Sequence, residues 1–254
     1  MESWLHELLM RNLNQGMIGD MPDKNTSSQT FLLASQSPRR AAILEALGVT
    51  FDIAISDAEE DSHFPPSELM ARIPPLALSD EDHPVVRAWR KGNHIAQLHP
   101  HAIVLAADTI VVCDSHVLNK PVDRADAMRM LKMLSGRSHQ VYTGMVRYAP
   151  QHEPVFWVQM STVTMRELDA IELERYVASG EPMDKAGAYG IQGMAGSLVA
   201  SVMGSFTNVV GLPMEATIRL LSGTGVCVAR TVPEAFDLWR RAHPLLRTEL
   251  GDQP

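Results

Sequence analysis

Cysteine is almost missing from this chain: Cys113 and Cys227 are the only two in 254 residues. Two are too few for a disulfide framework or a thiolate metal site, and such usage fits a reducing cytoplasm. Long apolar runs are missing too. No stretch approaches the roughly 20 residues that a membrane-spanning helix needs, so no membrane partner is expected. The opening MESWLHELLMRNL has no basic head and is interrupted by Glu2, His6 and Glu7, unlike a signal peptide. Excess positive charge is lacking as well. The net charge of −8 argues against nucleic acid as a bulk partner, yet a single nucleotide needs only a few local cations. Several catalytic signatures are absent. The ten histidines include no H-E-x-x-H, and neither G-x-S-x-G nor a GxxxxGK[ST] phosphate loop occurs. A serine nucleophile is thereby disfavoured, and metal-assisted attack by water is favoured.

What is present is a strand-like run, Phe31-Leu32-Leu33-Ala34, that breaks into Ser35-Gln36-Ser37 and then into a helix. Ser37 suits the N-cap, Pro38 the first helical position and Gly48 the C-terminal stop. Arg39 and Arg40 fall in the first turn. Cations are unfavourable at a helix N-terminus unless an anion sits among them, so Ser35–Arg40 reads as a phosphate pocket. Beyond it, strands and helices alternate, which predicts an α/β architecture. Thr50–Ile55 reads as a strand with Phe51, Ile53 and Ile55 on one face, Val85–Gln97 as a helix despite Gly92, and Ala102–Ala107 as a buried central strand terminated by Asp108, after which Thr109–Cys113 continues the extended chain. Asp169 and Glu172 form a capping-box pattern, and Val232–His243 reads as a last, peripheral helix. Trp4, Leu5, Leu8 and Leu9 recur at the spacing of a short amphipathic helix, followed by a polar linker.

Asp108 is the leading chemical candidate. A carboxylate after six apolar residues is costly unless it is paired or bound to a cation; it is either a turn cap or a metal ligand and general base for water. Asp57, Glu59, Glu60 and Asp61 are acidic companions, and one of them joining Asp108 would suit a hard cation such as Mg²⁺. Lys120 and Lys185 lie on Pro- and Gly-punctuated backbone, from which each can reach a triphosphate as a point charge. In the Gly-rich run Ala186–Gly193, the amide of Gln192 offers a donor and an acceptor together, suited to the edge of a base.

Five segments in order, LLASQSPRRAAILEALG, AADTIVV, NKPVDRADAMRMLKMLSGRSHQVYTG, GEPMDKAGAYGIQG and NVVGLP, closely resemble the Maf family of nucleoside triphosphate pyrophosphatases. The resemblance runs from about Phe31 to Leu221. It implies residues 31–222 as the family domain, with extensions over 1–30 and 223–254. It implies a long, twisted mixed sheet flanked by helices around a central cleft, similar to inosine triphosphatase. It also implies hydrolysis of a nucleoside triphosphate to monophosphate and pyrophosphate, a divalent cation (Mg or Mn), a cytoplasmic location and a possible homodimer. Carried over by position, Asp108 is the proton acceptor or metal-organising carboxylate, with Glu60 beside it on the metal. Ser35, Arg39, Arg40, Lys120 and Lys185 line the triphosphate, and Ala88-Trp89-Arg90-Lys91 supplies an A-x-x-K element, although Gly92-Asn93 departs from the usual surroundings. Arg39, Thr109 and Gln192 match the positions that sort the family by base, and here resemble its dTTP/UTP branch. The alternatives are the same chemistry on another nucleotide such as 7-methyl-GTP, or a nucleotide-sensing regulator of cell division.

Overall fold

The computed structural model describes residues 29–55 and 63–243. The expected N-terminal helix and the acidic residues Asp57, Glu59, Glu60 and Asp61 lie outside them. Among the described residues seven strands form one mixed sheet. In chain order they are β1 (Phe31–Ala34), β2 (Asp52–Ile53), β3 (Ile103–Cys113), β4 (His116–Leu118), β5 (Ser138–Ala149), β6 (His152–Met165) and β7 (Val199–Met203). Across the sheet they run β2-β1-β3-β5-β6-β7, with β4 also paired to β3. β1 is parallel to both neighbours, and from β3 through β5 and β6 to β7 each strand is antiparallel to the next. The helices are α1 (Pro38–Leu47), α2 (Ser67–Met70), α3 (Pro84–Leu98), α4 (Arg124–Leu134), α5 (Ala170–Ala178), α6 (Phe206–Val210), α7 (Met214–Leu221) and α8 (Val232–Arg241).

Side chains alternate across the central strand, so its two faces build two cores. Leu33, Ile103, Leu105 and Ala107 join the larger core with α1 and α4. Leu32, Val104 and Ala106 face the other way, onto Val85, Val86, Ala88 and Trp89 of α3. Gly92 is what lets α3 lie so close. A Cβ there would stand 2.8 Å from Ala106 Cβ and 2.6 Å from Tyr148 Cε2. The glycine that weakens the helical pattern is therefore a packing requirement.

Three sequence expectations change. The strand over Thr50–Ile55 shrinks to Asp52–Ile53, and Ile53 and Ile55 are 53% and 54% exposed. Among the described residues it is an edge strand bonded only to β1, and while Phe51 packs partly against the larger core, nothing covers Ile53 and Ile55. Asp108 does not end its strand. β3 runs through it to Cys113, because β5 pairs with every residue from Val104 to Val112. The last helix is not peripheral. Trp239 of α8 is 2% exposed and packs against Phe206 and Phe236, with ring centroids 6.0 Å away from each. The segment leading into α8 also caps α1: Arg230 Nη1 donates to the carbonyls of Glu45 and Ala46, and the Arg230 amide to that of Leu47. These are the orphan acceptors of a helix C-terminus, where a cation is favoured.

Candidate active site

The site begins as a gap in the ladder. On one edge β3 pairs with β1 as far as Ala106 and with β4 from Val111. Between them, Ala107 to Ile110 meet no strand on that side among the described residues. β1 stops at Ala34, two residues short of Asp108 in register, the chain turns away at Ser35, and α1 starts beside the opening. A cleft of about 1160 Å³ fills this place, roomy enough for a nucleotide. Ser35, Arg39, Arg40, Asp108, Thr109, Lys120, Lys185 and Gln192 all line it. Glu60 lies outside the described residues.

The alternation of β3 sends Asp108 and Thr109 to different walls. Asp108 points toward α3, where Lys91 Nζ donates to its Oδ1 at 2.7 Å. Both side chains are mostly buried, at 18% and 14% exposure for Lys91 and Asp108, so the two charges offset each other's desolvation. Asp108 Oδ2 has no hydrogen bond among the described residues. The A-x-x-K element thus supplies the partner of Asp108 even though Gly92 and Asn93 depart from the usual pattern. Gly144 lies opposite Asp108 on β5, and a Cβ there would fall 2.3 Å from the Val85 nitrogen. Two glycines therefore hold the lysine-bearing helix against the strand that carries the carboxylate.

Thr109 points toward α1 and enters a relay whose proton order is determined. Thr143 Oγ1 donates to the Asn208 carbonyl at 3.0 Å, which spends its only proton. It must then accept from Thr109 Oγ1 at 2.9 Å. Thr109 in turn accepts from Arg40 Nη2 at 3.2 Å. Arg40 also donates to Ser35 Oγ and to the Gly211 carbonyl, each at 2.9 Å. At 8% exposure Arg40 is a buried knot joining the β1 turn, β3 and the Gly211 turn.

A second cationic group lies on the opposite rim. Asp184 accepts from Arg39 Nη1 at 3.2 Å and from Lys185 Nζ at 2.5 Å. Burial pushes the Asp184 carboxyl up, but the hydrogen bonds and charges of Lys185 and Arg39 outweigh it and hold it below the ordinary carboxylate value. Lys120 is exposed, and neither it nor Gln192 makes a side-chain hydrogen bond among the described residues.

Sequence reasoning passed over Asp184, Arg87 and Arg90, all of which line the cleft. Arg87 donates to Asp82 Oδ1 and Asn119 Oδ1, and Arg90 to the His63 carbonyl while lying over the Phe64 ring. A signal existed: α3 carries Arg87, Arg90 and Lys91 at i, i+3 and i+4 with no acidic residue anywhere in it. Three cations on one helical face call for anions from outside the helix.

A family model described as Maf-like protein matches residues 30–224 of this chain. The chain belongs to the Maf family. A Maf relative from Moorella thermoacetica, named dTTP/UTP pyrophosphatase, is 45% identical over 200 residues, covering 78% of this chain and 96% of its own. One of the same name from Symbiobacterium thermophilum is 43% identical over 199 residues, covering 78% and 95%. Another from Myxococcus xanthus is 42% identical over 202 residues, covering 80% and 96%. Among solved structures, a dITP/XTP pyrophosphatase from Mycobacterium abscessus matches 85% of this chain and 96% of its own, at 16% identity and a TM-score of 0.36. No helix among the described residues is long and apolar enough to cross a membrane.

Proposed function

We propose that this Maf protein hydrolyses dTTP and UTP, and modified pyrimidine nucleotides, to the nucleoside monophosphate and pyrophosphate. The observation that carries this reading is the pairing of opposites in one cleft. A carboxylate with one oxygen held by Lys91 and the other without a hydrogen bond among the described residues lies on one wall, and Arg39, Lys120 and Lys185 lie around the rim. Relatives named for dTTP and UTP, at 42–45% identity, support the choice of substrate.

In this mechanism water attacks the α-phosphorus, and Asp108 Oδ2 accepts its proton while Lys91 holds the carboxylate in place. The bond from the α-phosphorus to the α,β-bridging oxygen breaks, and pyrophosphate leaves. Arg39, Lys120 and Lys185 neutralise the charge growing on the departing phosphates. Arg39 and Lys185 exchange Asp184 for phosphate oxygens when substrate enters. Arg40 and Thr109 shape the turn from Ser35 and keep the α1 N-terminus aimed at the phosphates. Gln192 reads the base, its amide matching a neutral pyrimidine edge.

A divalent cation fits this donor set. Mg²⁺ and Mn²⁺ take a few carboxylate oxygens and complete their shell with phosphate oxygens and water. Asp108 offers a hard oxygen donor facing the cleft, and Glu60 is its sequence-matched companion. No group of three acidic, histidine or cysteine side chains that could hold a metal occurs among the described residues. The cation would supply neutralisation of the triphosphate charge.

The test is pyrophosphate release from a panel of dTTP, UTP, purine triphosphates and 7-methyl-GTP, with Mg²⁺ or Mn²⁺ present. Wild type should prefer the pyrimidines, and Asp108→Asn should lower kcat by about 10³-fold while keeping the wild-type circular-dichroism spectrum, with a lower melting temperature because Lys91 loses its counter-charge. Preference for a purine would overturn the substrate, and near-normal turnover in the variant would remove Asp108 from the chemistry.

A further inference from the structure

Gln192 sits on a short irregular stretch between 3₁₀ turns, which leaves open what holds its amide in a fixed place. The answer lies in a half-buried carboxylate with no part in the proposed chemistry. Glu181 reaches under the loop. Its Oε1 accepts from the Tyr176 hydroxyl at 3.2 Å, and its Oε2 accepts from the Met194 amide at 3.2 Å. The Tyr176 oxygen accepts in turn from the Gly190 amide at 3.3 Å. The two loop amides bound in this way, at 190 and 194, bracket Ile191-Gln192-Gly193.

The surrounding residues fit that bracket. Ile191 is buried and anchors the loop, while Gln192 lines the cleft. Gly193 has φ +87°, and a Cβ there would stand 3.1 Å from both Glu181 carboxylate oxygens, so glycine is what admits the carboxylate beneath the chain. Gly190 makes room for the Lys185 methylenes, which a Cβ would approach to 2.6 Å. Tyr176 is 2% exposed, and burial together with the Glu181 charge pushes its phenol up, so it keeps its proton and donates it to Glu181.

Glu181 also touches the other half of the site, by different atoms. Its main-chain carbonyl accepts from Lys185 Nζ at 2.6 Å. One residue thus bears on a phosphate-binding cation through its backbone and on the base-reading loop through its side chain. Side-chain substitution separates the two.

We infer that the Glu181 carboxylate, with Tyr176, is a positioning device for base recognition: it fixes Gln192 and sets its distance from the phosphate-binding lysine. The inference rests on the reading of Gln192 as the residue that meets the base. Without the carboxylate, the Met194 amide and the Tyr176 hydroxyl lose their acceptor and the loop drifts. The Lys185 contact to the backbone carbonyl persists. The consequence belongs to nucleotide selection and not to phosphate handling.

The experiment compares wild type, E181A, E181Q and Y176F. It measures kcat and KM for dTTP and dATP, inhibition by dTMP and by inorganic pyrophosphate, and amide exchange at Gly190 and Met194. For E181A, the KM for dTTP should rise, and the kcat/KM preference for dTTP over dATP should fall, each by about tenfold. Inhibition by dTMP should weaken, while inhibition by pyrophosphate and kcat on dTTP stay within about twofold. E181Q should rescue only in part, because its amide oxygen keeps the acceptor for Met194 while its amide nitrogen can only donate toward Tyr176, whose own proton then lacks an acceptor. Y176F should quicken exchange at Gly190 and fall between wild type and E181A. A merely structural role would weaken dTMP and pyrophosphate inhibition alike, and that outcome overturns the inference. So does an E181A enzyme with an unchanged base preference. If E181A does not fold, Y176F decides by the same readouts. If wild type releases no pyrophosphate from dTTP, the proposed function fails. The clasp is then judged separately, by amide exchange in Y176F and E181Q.

Discussion

His139 shows how a single buried side chain ties stability to pH. It lies on β5, fully buried, with Nε2 2.6 Å from the Tyr189 hydroxyl and Nδ1 without a partner among the described residues. Burial pushes its pKa down to about 4, from an ordinary 6.5. The fold therefore holds the neutral ring, while the unfolded chain takes up a proton below about 6.5. The stabilisation is fully present above pH 6.5 and is lost as the pH falls through 4, for a total of about 3 kcal/mol. Urea midpoints of wild type and His139→Leu between pH 7 and pH 4 should converge as the pH drops. A constant gap between them would show that His139 does not titrate on unfolding. Sequence reading found only that the ten histidines form no H-E-x-x-H pattern. It had no means of finding this one, because its burial depends on the Gly-rich loop bringing Tyr189 over β5. At the same scale, Asp108 and Lys185 stood out by local context, whereas the commitment of Arg40 to three oxygens of its own chain did not. Two of those oxygens, on Thr109 and Gly211, are 69 and 171 residues away.

Among the elements, α3 carries the most information about the site. It brings Lys91 to Asp108, and Gly92 sets its height above the sheet. Gly92→Ala opposes two effects. Helix propensity improves by about 1 kcal/mol, whereas overpacking against an immovable central strand costs about 1–3 kcal/mol. Stability should therefore change by no more than about 2 kcal/mol. Activity should suffer more, because displacing the helix by even a few tenths of an ångström loosens a 2.7 Å ion pair. We expect kcat to fall at least about tenfold with KM little changed, measured beside a thermal melt. Unaltered kcat would mean that Lys91 tolerates displacement. The helix itself was legible from its apolar spacing. Strand β2 misled for the converse reason: period-two alternation reports a face that burial can use, and among the described residues that face is covered at Phe51 but not at Ile53 and Ile55.

At the scale of the molecule, α8 joins the fold although it lies beyond the family match over 30–224. It packs on α1, the helix whose first turn carries Arg39 and Arg40, and its lead-in caps the other end of that helix. Trp239→Ala empties a site shared with Phe206 and Phe236, at a cost of about 4 kcal/mol. That should lower the melting temperature by about 10 °C, read by calorimetry, with the nucleotide preference retained. A melting temperature within a degree or two of wild type would show that α8 is dispensable to the core.

The order of strands and helices, the glycine and proline punctuation and the family motifs were written locally. Each depends on neighbours within a turn or two, so the sequence alone determined the fold class and gathered most of the site's residues into one expectation. Tertiary structure decided how those residues divide their work. It opened the ladder beside β3, split Asp108 and Thr109 between two walls, buried Arg40 in a relay and slid Glu181 beneath Gln192. Those outcomes depend on which distant oxygen lies within 3 Å of which donor, and pairings of that kind leave no periodic trace along a chain.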